Sequence, residues 1–173
     1  MTLHSVYAPP HQQAMMQLPR KLMPMILLTT AAVAAAIAMI VMTMLLLQIE
    51  DWHRDLTTNF AATDAQSRDE RLRPIRSSLP PETLADRVIE AMQPRANWKL
   101  ESRTCHGQRV ELHFIRTTPW LRFKDDIHVQ IEPDPSGGSV LIANSRSRIG
   151  KGDLGQNPRN LRELLAAVRG ATG

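Results

Sequence analysis

The sequence predicts an α+β protein with one N-terminal transmembrane helix and a small domain, in which a four-stranded antiparallel sheet is flanked by two helices. Three observations predict this fold. A run of twenty-three uncharged residues lies near the N-terminus. Four stretches of alternating apolar and polar residues follow, and an apolar stripe with helical spacing stands on either side of them. The predicted segments are a tail at 1–21, the membrane helix at 22–49, a juxtamembrane tether at 50–79 and the α+β domain at 80–173.

The apolar run from Met25 to Leu47 is long enough to cross a bilayer. At a rise of about 1.5 Å per residue it covers about 34 Å, against a hydrocarbon core of about 30 Å. A cleaved signal peptide is the alternative, because the alanine-rich residues 31–36 resemble a cleavage site. The run continues for eleven residues beyond Ala36, so we expect a retained anchor.

Charge on either side of this helix predicts its orientation. Arg20 and Lys21 precede it, whereas all 17 acidic residues follow it. Basic residues are retained in the cytoplasm, so the N-terminus is predicted to be cytoplasmic. The α+β domain is then periplasmic in a bacterial inner membrane, or lumenal in a thylakoid-type membrane. Trp52 is predicted to lie at the far membrane interface.

Small residues recur along one side of the predicted membrane helix. Thr30, Ala34 and Ala38 are spaced four residues apart, which would allow a second helix to approach closely. The alternative is an alanine-rich helix that faces lipid, and the sequence leaves both interpretations open.

The residues after the membrane helix are nearly balanced in charge. Two of the 21 basic residues precede them and all 17 acidic residues lie among them, so we expect no nucleic-acid partner. Cys105 is the single cysteine, which excludes an intrachain disulfide, and it is predicted to be a half-buried free thiol at the end of a strand.

Two helices are predicted in the domain. The first begins at Pro80-Pro81 and ends at Pro94, with Leu84, Val88, Ile89 and Met92 as its apolar stripe. The second runs from about Pro158 to Arg169, with Asn157 as its N-terminal cap and Gly170 as its stop. Its apolar face consists of Leu161, Leu164, Leu165 and Val168.

Four strands lie between these helices. Turns are predicted at His106-Gly107, at Thr118-Pro119 and at Asp134–Gly138. Both helices should pack on the apolar face of the sheet. The core-facing residues predicted for the four strands are, in order, Trp98 and Leu100, then Val110, Leu112 and Phe114, then Ile127, Val129 and Ile131, and finally Val140 and Ile142.

Two segments near one end of the predicted sheet carry the candidate site. They are Arg122–Asp126 and Ser145–Asn157, and their charged or polar candidates are Arg122, Asp125, Asp126, Arg146, Arg148, Lys151, Asp153 and Asn157. One hypothesis is an anion site, in which Arg146, Arg148, Lys151 and the amides of residues 150–155 receive a phosphate or carboxylate.

The other hypothesis for these residues is a structural clasp. In it, Asp125 and Asp126 pair with the arginines across the hairpin, Asp153 binds local backbone amides, and Asn157 caps the last helix. We favour the clasp, because the nearby acids neutralise most of the basic charge.

Catalytic and metal-binding patterns are weak. His113 and His128 share the solvent side of their strands, and with Glu111 they would approach a metal if the strands were adjacent, but a third fixed ligand is not evident. Cys105 and His106 are neighbours in sequence and point to opposite sides of a strand, which is a poor arrangement for a thiolate pair. We therefore expect no metal, no cofactor and no enzymatic activity.

The segments Arg122-Phe-Lys-Asp-Asp126 and Ser145-Arg-Ser-Arg-Ile-Gly-Lys-Gly-Asp-Leu-Gly-Gln-Asn157 resemble the signature of the domain-of-unknown-function 1499 family. The resemblance covers about residues 73–169 and implies the α+β domain without implying a reaction. The chain lacks the family's Asn-Cys-Val-like opening. Members occur in bacteria and in photosynthetic organelles, which implies an association with energy-transducing membranes.

Taken together, these patterns predict a non-catalytic accessory subunit of a larger membrane complex. Its expected partners are other membrane subunits, lipid and, by the family association, pigment-bearing proteins of a photosynthetic reaction-centre or light-harvesting complex. The alternative is a periplasmic binding module for an anionic ligand or a lipid headgroup at the Arg146 region.

Overall fold

The computed structural model describes residues 22–47, 57–119 and 121–172. The predicted tail at 1–21, with Arg20 and Lys21, and the predicted interfacial Trp52 lie outside the described residues. The chain divides into two compact units, Met1–Met44 and Leu45–Gly173.

Helix α1 spans Leu22–Leu46. Its segment Met23–Met44 is long and apolar enough to cross a membrane. The hydroxyls of Thr29 and Thr30 donate to backbone carbonyls of the preceding turn, so these polar groups are satisfied within the helix, as a hydrocarbon environment requires. Thr30, Ala34 and Ala38 are all exposed.

The second unit is built on one antiparallel sheet of six strands, rather than the predicted four. In chain order the elements are β1 Phe60–Ala62, a 3₁₀ turn Glu70–Leu72, β2 Ile75–Ser77, α2 Pro81–Met92, β3 Trp98–His106, β4 Arg109–Thr117, β5 Lys124–Pro133, β6 Ser139–Ser147 and α3 Gln156–Thr172. The strands lie in the order β1-β6-β5-β4-β3, and β2 also pairs with β6.

The two additional strands lie in the segment predicted as a juxtamembrane tether. Strand β1 pairs with the second half of β6, and β2 pairs with its first half. Each strand has only three residues, which is too short for alternation to be visible in the sequence. Both are formed by long-range pairing with β6, so they cover the edge of the sheet that β6 would otherwise expose.

Both helices of the domain pack on the same face of the sheet, called here the inner face. Helix α2 contacts β4 and β5, while α3 contacts β1, β6 and α2. Leu84, Val88 and Met92 of α2 are buried as predicted. The ring of Trp98 meets that of Phe114 edge-on, with 6.2 Å between centroids. The inner face and its helices therefore form one continuous hydrophobic core.

The predicted inward residues of β6 are wrong. Leu141 and Ala143 face the core, whereas Ile142 is exposed and Val140 is half-buried. Three consecutive apolar residues, 140–142, are compatible with either orientation of the strand. Pairing with β5 decides the matter, because it places Leu141 opposite the buried Ile131.

Three further predictions are wrong in detail. Helix α3 begins at Gln156 rather than Pro158, so Asn157 lies inside the helix and is not its cap, and the helix continues through Gly170 to Thr172. Cys105 is exposed rather than half-buried. It lies on the edge strand β3, of which only the first residues, Trp98 and Leu100, reach the core.

Candidate functional site

The inner face carries a buried polar cluster between the β5–β6 hairpin and the start of α3. Asp125 is 1% exposed, and it accepts hydrogen bonds from Ser147 Oγ at 2.6 Å and from Asn160 Nδ2 at 2.9 Å. Ser145 Oγ donates to Asn157 Oδ1 at 2.6 Å and accepts from Asn160 Nδ2 at 3.1 Å. The cluster therefore joins two strands to one helix through mutually satisfied groups.

Asp153 completes this cluster from the loop before α3. Its carboxylate accepts from the backbone N–H groups of Gly155 and Asn157 at 2.8 and 2.9 Å. The side chain of Asn157 also bonds to Asp153, and it donates to Ser147 Oγ at 3.1 Å. Asp153 thus satisfies the first amides of α3, which explains why the helix begins before Pro158.

The neighbouring acid, Asp126, points to the opposite, outer face. Its carboxylate accepts two hydrogen bonds from the Arg148 guanidinium, both at 2.7 Å, and contacts His113 Nε2 at 2.7 Å. Arg148, and after it His113, hold the pKa of Asp126 at about 2. The acid–arginine pairing predicted across the hairpin is thus present for Asp126 and Arg148, whereas Asp125 bonds to serine and asparagine instead.

The two histidines lie directly opposite one another on the adjacent strands β4 and β5. Their rings stack, with 4.5 Å between centroids and 9° between planes. Partial burial, and after it the charge of His113, lowers the pKa of His128. Within residues 22–47, 57–119 and 121–172, no group of three or more histidine, cysteine or acidic side chains is arranged to hold a metal ion.

A concave groove of about 450 Å³ runs across the outer face. It is bounded by β1 on one side and by the edge strand β3 on the other. Its lining is polar and apolar in nearly equal parts, and Ile142 contributes an exposed apolar side chain near the middle of β6. The residues that line it include Phe60, Thr104, His113, Gln130, Ile142 and Asn144.

Arg146 stands at the end of this groove. Its guanidinium carbon lies 5.3 Å from the centre of the Phe60 ring, a cation–π contact. A smaller cavity of about 300 Å³ is lined by Phe60, Asp126, His128, Asn144 and Arg146. Arg146 therefore presents its charge to the outer face, where an aromatic ring supports it.

The predicted site residues are thus divided among three places. Asp125, Asp153 and Asn157 lie in the inner cluster, and Asp126, Arg146 and Arg148 lie on the outer face. Arg122 and Lys151 are exposed on loops at the same end of the sheet. Of the amides predicted to receive an anion, that of Gly155 is bonded to Asp153.

Sequence reasoning missed the groove itself. Its lining comes from five strands between residues 60 and 147, and one of them, β1, was not predicted. The available signal was the shared solvent-side position of His113 and His128, which marks the middle of the outer face.

Comparison with known proteins supports the resemblance carried by these segments. A model of a family described as proteins of unknown function, DUF1499, matches residues 51–168. The chain belongs to the DUF1499 family. No curated protein and no solved structure matches it. The match includes β1 and β2, so the DUF1499 region corresponds to the whole six-stranded sheet and both of its helices.

Proposed function

We propose that this DUF1499 protein is a non-catalytic accessory subunit of a larger membrane complex, anchored by α1 and docked through the outer face of its sheet. The observation that carries the proposal is the groove. Both helices of the domain lie on the inner face, and the outer face presents a groove of about 450 Å³ that polar and apolar groups line in nearly equal parts. A mixed surface of this kind is typical of non-obligate protein interfaces.

The proposed partner is an extended segment of another protein, which docks at the edge of the sheet beside the groove. Strand β3 forms one wall, and it is an edge strand whose residues from Glu101 to His106 are all exposed. Its outward backbone groups can pair with a strand from another chain, while Thr104 and the groove residues behind it meet that strand's side chains.

The inner cluster supports a non-catalytic role. The polar groups of the family signature that a nucleophile or base would need, Asp125, Ser145 and Ser147, are bound to one another and to α3. Their hydrogen bonds hold the β5–β6 hairpin against the helix. In this proposal the signature residues hold the sheet against α3, and the sheet carries the groove on its opposite face.

The proposed location follows from α1 and from the charges beside it. We place α1 in a bacterial inner membrane or a thylakoid-type membrane, with the domain on the periplasmic or lumenal side. Because the family association points to energy-transducing membranes, we propose a complex of that kind. A pigment spectrum of the purified complex would separate a photosynthetic assembly from a respiratory one.

Extraction in mild detergent, followed by a native gel and mass spectrometry, tests this function. The wild-type chain is expected to migrate with partner subunits. Thr104→Arg, which places a large cation in the groove, should release it. Thr83→Arg makes the same change at an exposed position of α2 and should remain in the complex. Migration of the wild type as a free monomer would refute the proposal.

A second function, a binding module for a small anion, is favoured by Arg146. Its guanidinium rests on Phe60 and faces a cavity that Asn144 and His128 also line. Inorganic phosphate and citrate are suitable probes. At 100 times its dissociation constant, a true ligand adds about 2.7 kcal/mol to the free energy of unfolding, and this gain should disappear in Arg146→Gln. No thermal shift with either probe in the wild type would count against this function.

A further inference from the structure

Two loops at one end of the domain combine exposed apolar and basic side chains. We call residues 118–124 and 148–155, without Trp120, the basic tip. Leu121 is 69% exposed, Ile149 63%, Phe123 42% and Leu154 37%. Apolar side chains at this exposure lose contact with water only when something covers them. The outer-face groove is separate from these residues.

The two loops are held together at their bases. The backbone N–H of Arg148 donates to the carbonyl of Lys124 at 3.0 Å, which extends the β5–β6 ladder beyond the strands. The β5–β6 pairing ends at Asp125 and Ser147, so Phe123 and Ile149 each lie two residues beyond it. The first loop is closed by two hydrogen bonds between Thr118 and Phe123. Hydrogen bonds therefore join the bases of the loops that carry the apolar side chains.

The basic tip carries more positive than negative charge. Arg122, Lys124 and Lys151 are exposed. Arg148 is paired with Asp126. Among the tip residues that the structure describes, the single acid is Asp153, and its carboxylate is bonded to the first amides of α3. Three exposed cations thus lie on the same two loops as the exposed apolar side chains, where the described residues include one carboxylate, that of Asp153.

The first described residues of the domain lie at this same end. Asn59 Nδ2 donates to the carbonyl of Gly150 at 2.8 Å, and the N–H of Ser147 donates to the carbonyl of Asn59 at 3.1 Å. Asn59 follows the first described residue of the domain, Thr57, by two positions. The end of the domain that carries the tip is therefore also the end at which the described residues of the domain begin.

From these observations we infer that the basic tip docks on the anionic surface of a lipid membrane. Apolar side chains ringed by lysine and arginine match the boundary between acyl chains and anionic headgroups. Leu121, Phe123 and Ile149 would enter this boundary, and Arg122, Lys124 and Lys151 would contact headgroup phosphates. The inference goes beyond the proposed docking of a protein in the groove, because it concerns a different surface and a different partner.

A polarity-sensitive fluorophore tests the inference on the purified full chain. The chain is reconstituted in vesicles of phosphatidylcholine and phosphatidylglycerol in equal parts. One sample carries Cys105→Ser with the label on Ile149→Cys. The control carries the label on the native Cys105, which is exposed at the opposite end of the sheet. We expect a blue shift and quenching by brominated lipid for the label at 149, and neither for the label at 105.

Two comparisons separate lipid docking from other causes. The shift at 149 should fall by more than half in vesicles of phosphatidylcholine alone and in the variant that combines Arg122→Gln, Lys124→Gln and Lys151→Gln. Equal emission from positions 149 and 105 would overturn the inference. A shift that the charge variant leaves intact would also overturn it. A shift seen only in native membranes would overturn it too, because it would identify a protein partner. Because the vesicles contain no other protein, failure of the groove function does not affect the result.

Discussion

Replacement of Asn157 by alanine tests whether the inner polar cluster stabilises the domain. Asn157 is fully buried. Its side-chain Oδ1 accepts from Ser145 Oγ at 2.6 Å. Its side-chain Nδ2 donates to Ser147 Oγ at 3.1 Å and to Asp153. Alanine removes these bonds and leaves the hydroxyl of Ser145 without its acceptor. It also creates a small cavity where the amide was.

The expected loss of stability can be worked from these contacts. Each lost hydrogen bond costs about 0.5–1.5 kcal/mol, and a buried donor left without an acceptor costs about 1–3 kcal/mol. The Ser145 bond is counted once, as a donor left without its acceptor, at about 2 kcal/mol, and the other two bonds count about 0.5 kcal/mol each because Ser147 and Asp153 keep other partners. The total for Asn157→Ala is therefore about 3 kcal/mol. The free energy of unfolding of a whole domain is about 5–15 kcal/mol, so this loss is a large fraction of it. At about 4 °C per kcal/mol for a domain of this size, the melting temperature should fall by about 12 °C.

Thermal and urea unfolding of the full chain in detergent, followed by tryptophan fluorescence, measures this loss. Asn97→Ala is the matched control, because Asn97 is half-buried and its backbone carbonyl accepts from the N–H of Thr117, a bond that alanine keeps. The control should change the free energy of unfolding by less than about 0.5 kcal/mol. Equal effects of the two substitutions would refute the account of the cluster.

Two further substitutions test other parts of the domain. In Gly138→Ala the new Cβ would lie 2.0 Å from the carbonyl oxygen of Ser77, whereas in Gly137→Ala it would meet nothing within 4 Å. Both positions have positive φ, so both substitutions strain the backbone. Urea unfolding should therefore show a loss of about 1 kcal/mol for Gly137→Ala and a markedly larger loss for Gly138→Ala. The pKa of Asp126 is about 2 against an ordinary value of 3.8, so its contribution to stability is present above pH 3.8 and is lost as the pH falls toward 2. Over this range Asp126→Asn should lose less stability than the wild type in an acid titration of unfolding, and equal losses would contradict the role given to this ion pair.

The sequence predicts strands and their inward faces correctly where apolar residues alternate over five or more positions. Val110, Leu112 and Phe114 of β4 and Ile127, Val129 and Ile131 of β5 are all buried as predicted. Alternation of this length identifies a strand and its inward face together. The apolar stripe of α2 was equally clear, because its residues repeat at the helical period.

Alternation does not identify the inward face of strand β6. Its inner face changes from Leu141 and Ala143 to Ser145 as the strand approaches α3. A buried serine is indistinguishable from a solvent-facing one until its partners are known. Here those partners, Asn157 and Asn160, come from a helix twelve or more residues later in the chain. The local sequence pattern therefore could not predict that these asparagines contact Ser145.

The candidate site was limited by the same cause. Two adjacent acids, Asp125 and Asp126, were predicted to pair with arginines, yet consecutive residues of a strand face opposite sides. Asp126 therefore meets Arg148 on the outer face, while Asp125 enters the inner cluster. The groove needs β1, which exists only because Phe60–Ala62 pairs with a strand more than eighty residues away.

Photo-cross-linking in native membranes tests the central claim, docking through the outer groove, most directly. A benzophenone amino acid is introduced at Thr104, in the wall of the groove, and separately at Thr83, on the exposed side of α2. The account predicts that Thr104 yields a discrete adduct with one or more membrane subunits, which mass spectrometry identifies, and that Thr83 yields none of these. Adducts from Thr83 alone, or none from either position while the chain remains in a complex, would contradict docking through the groove.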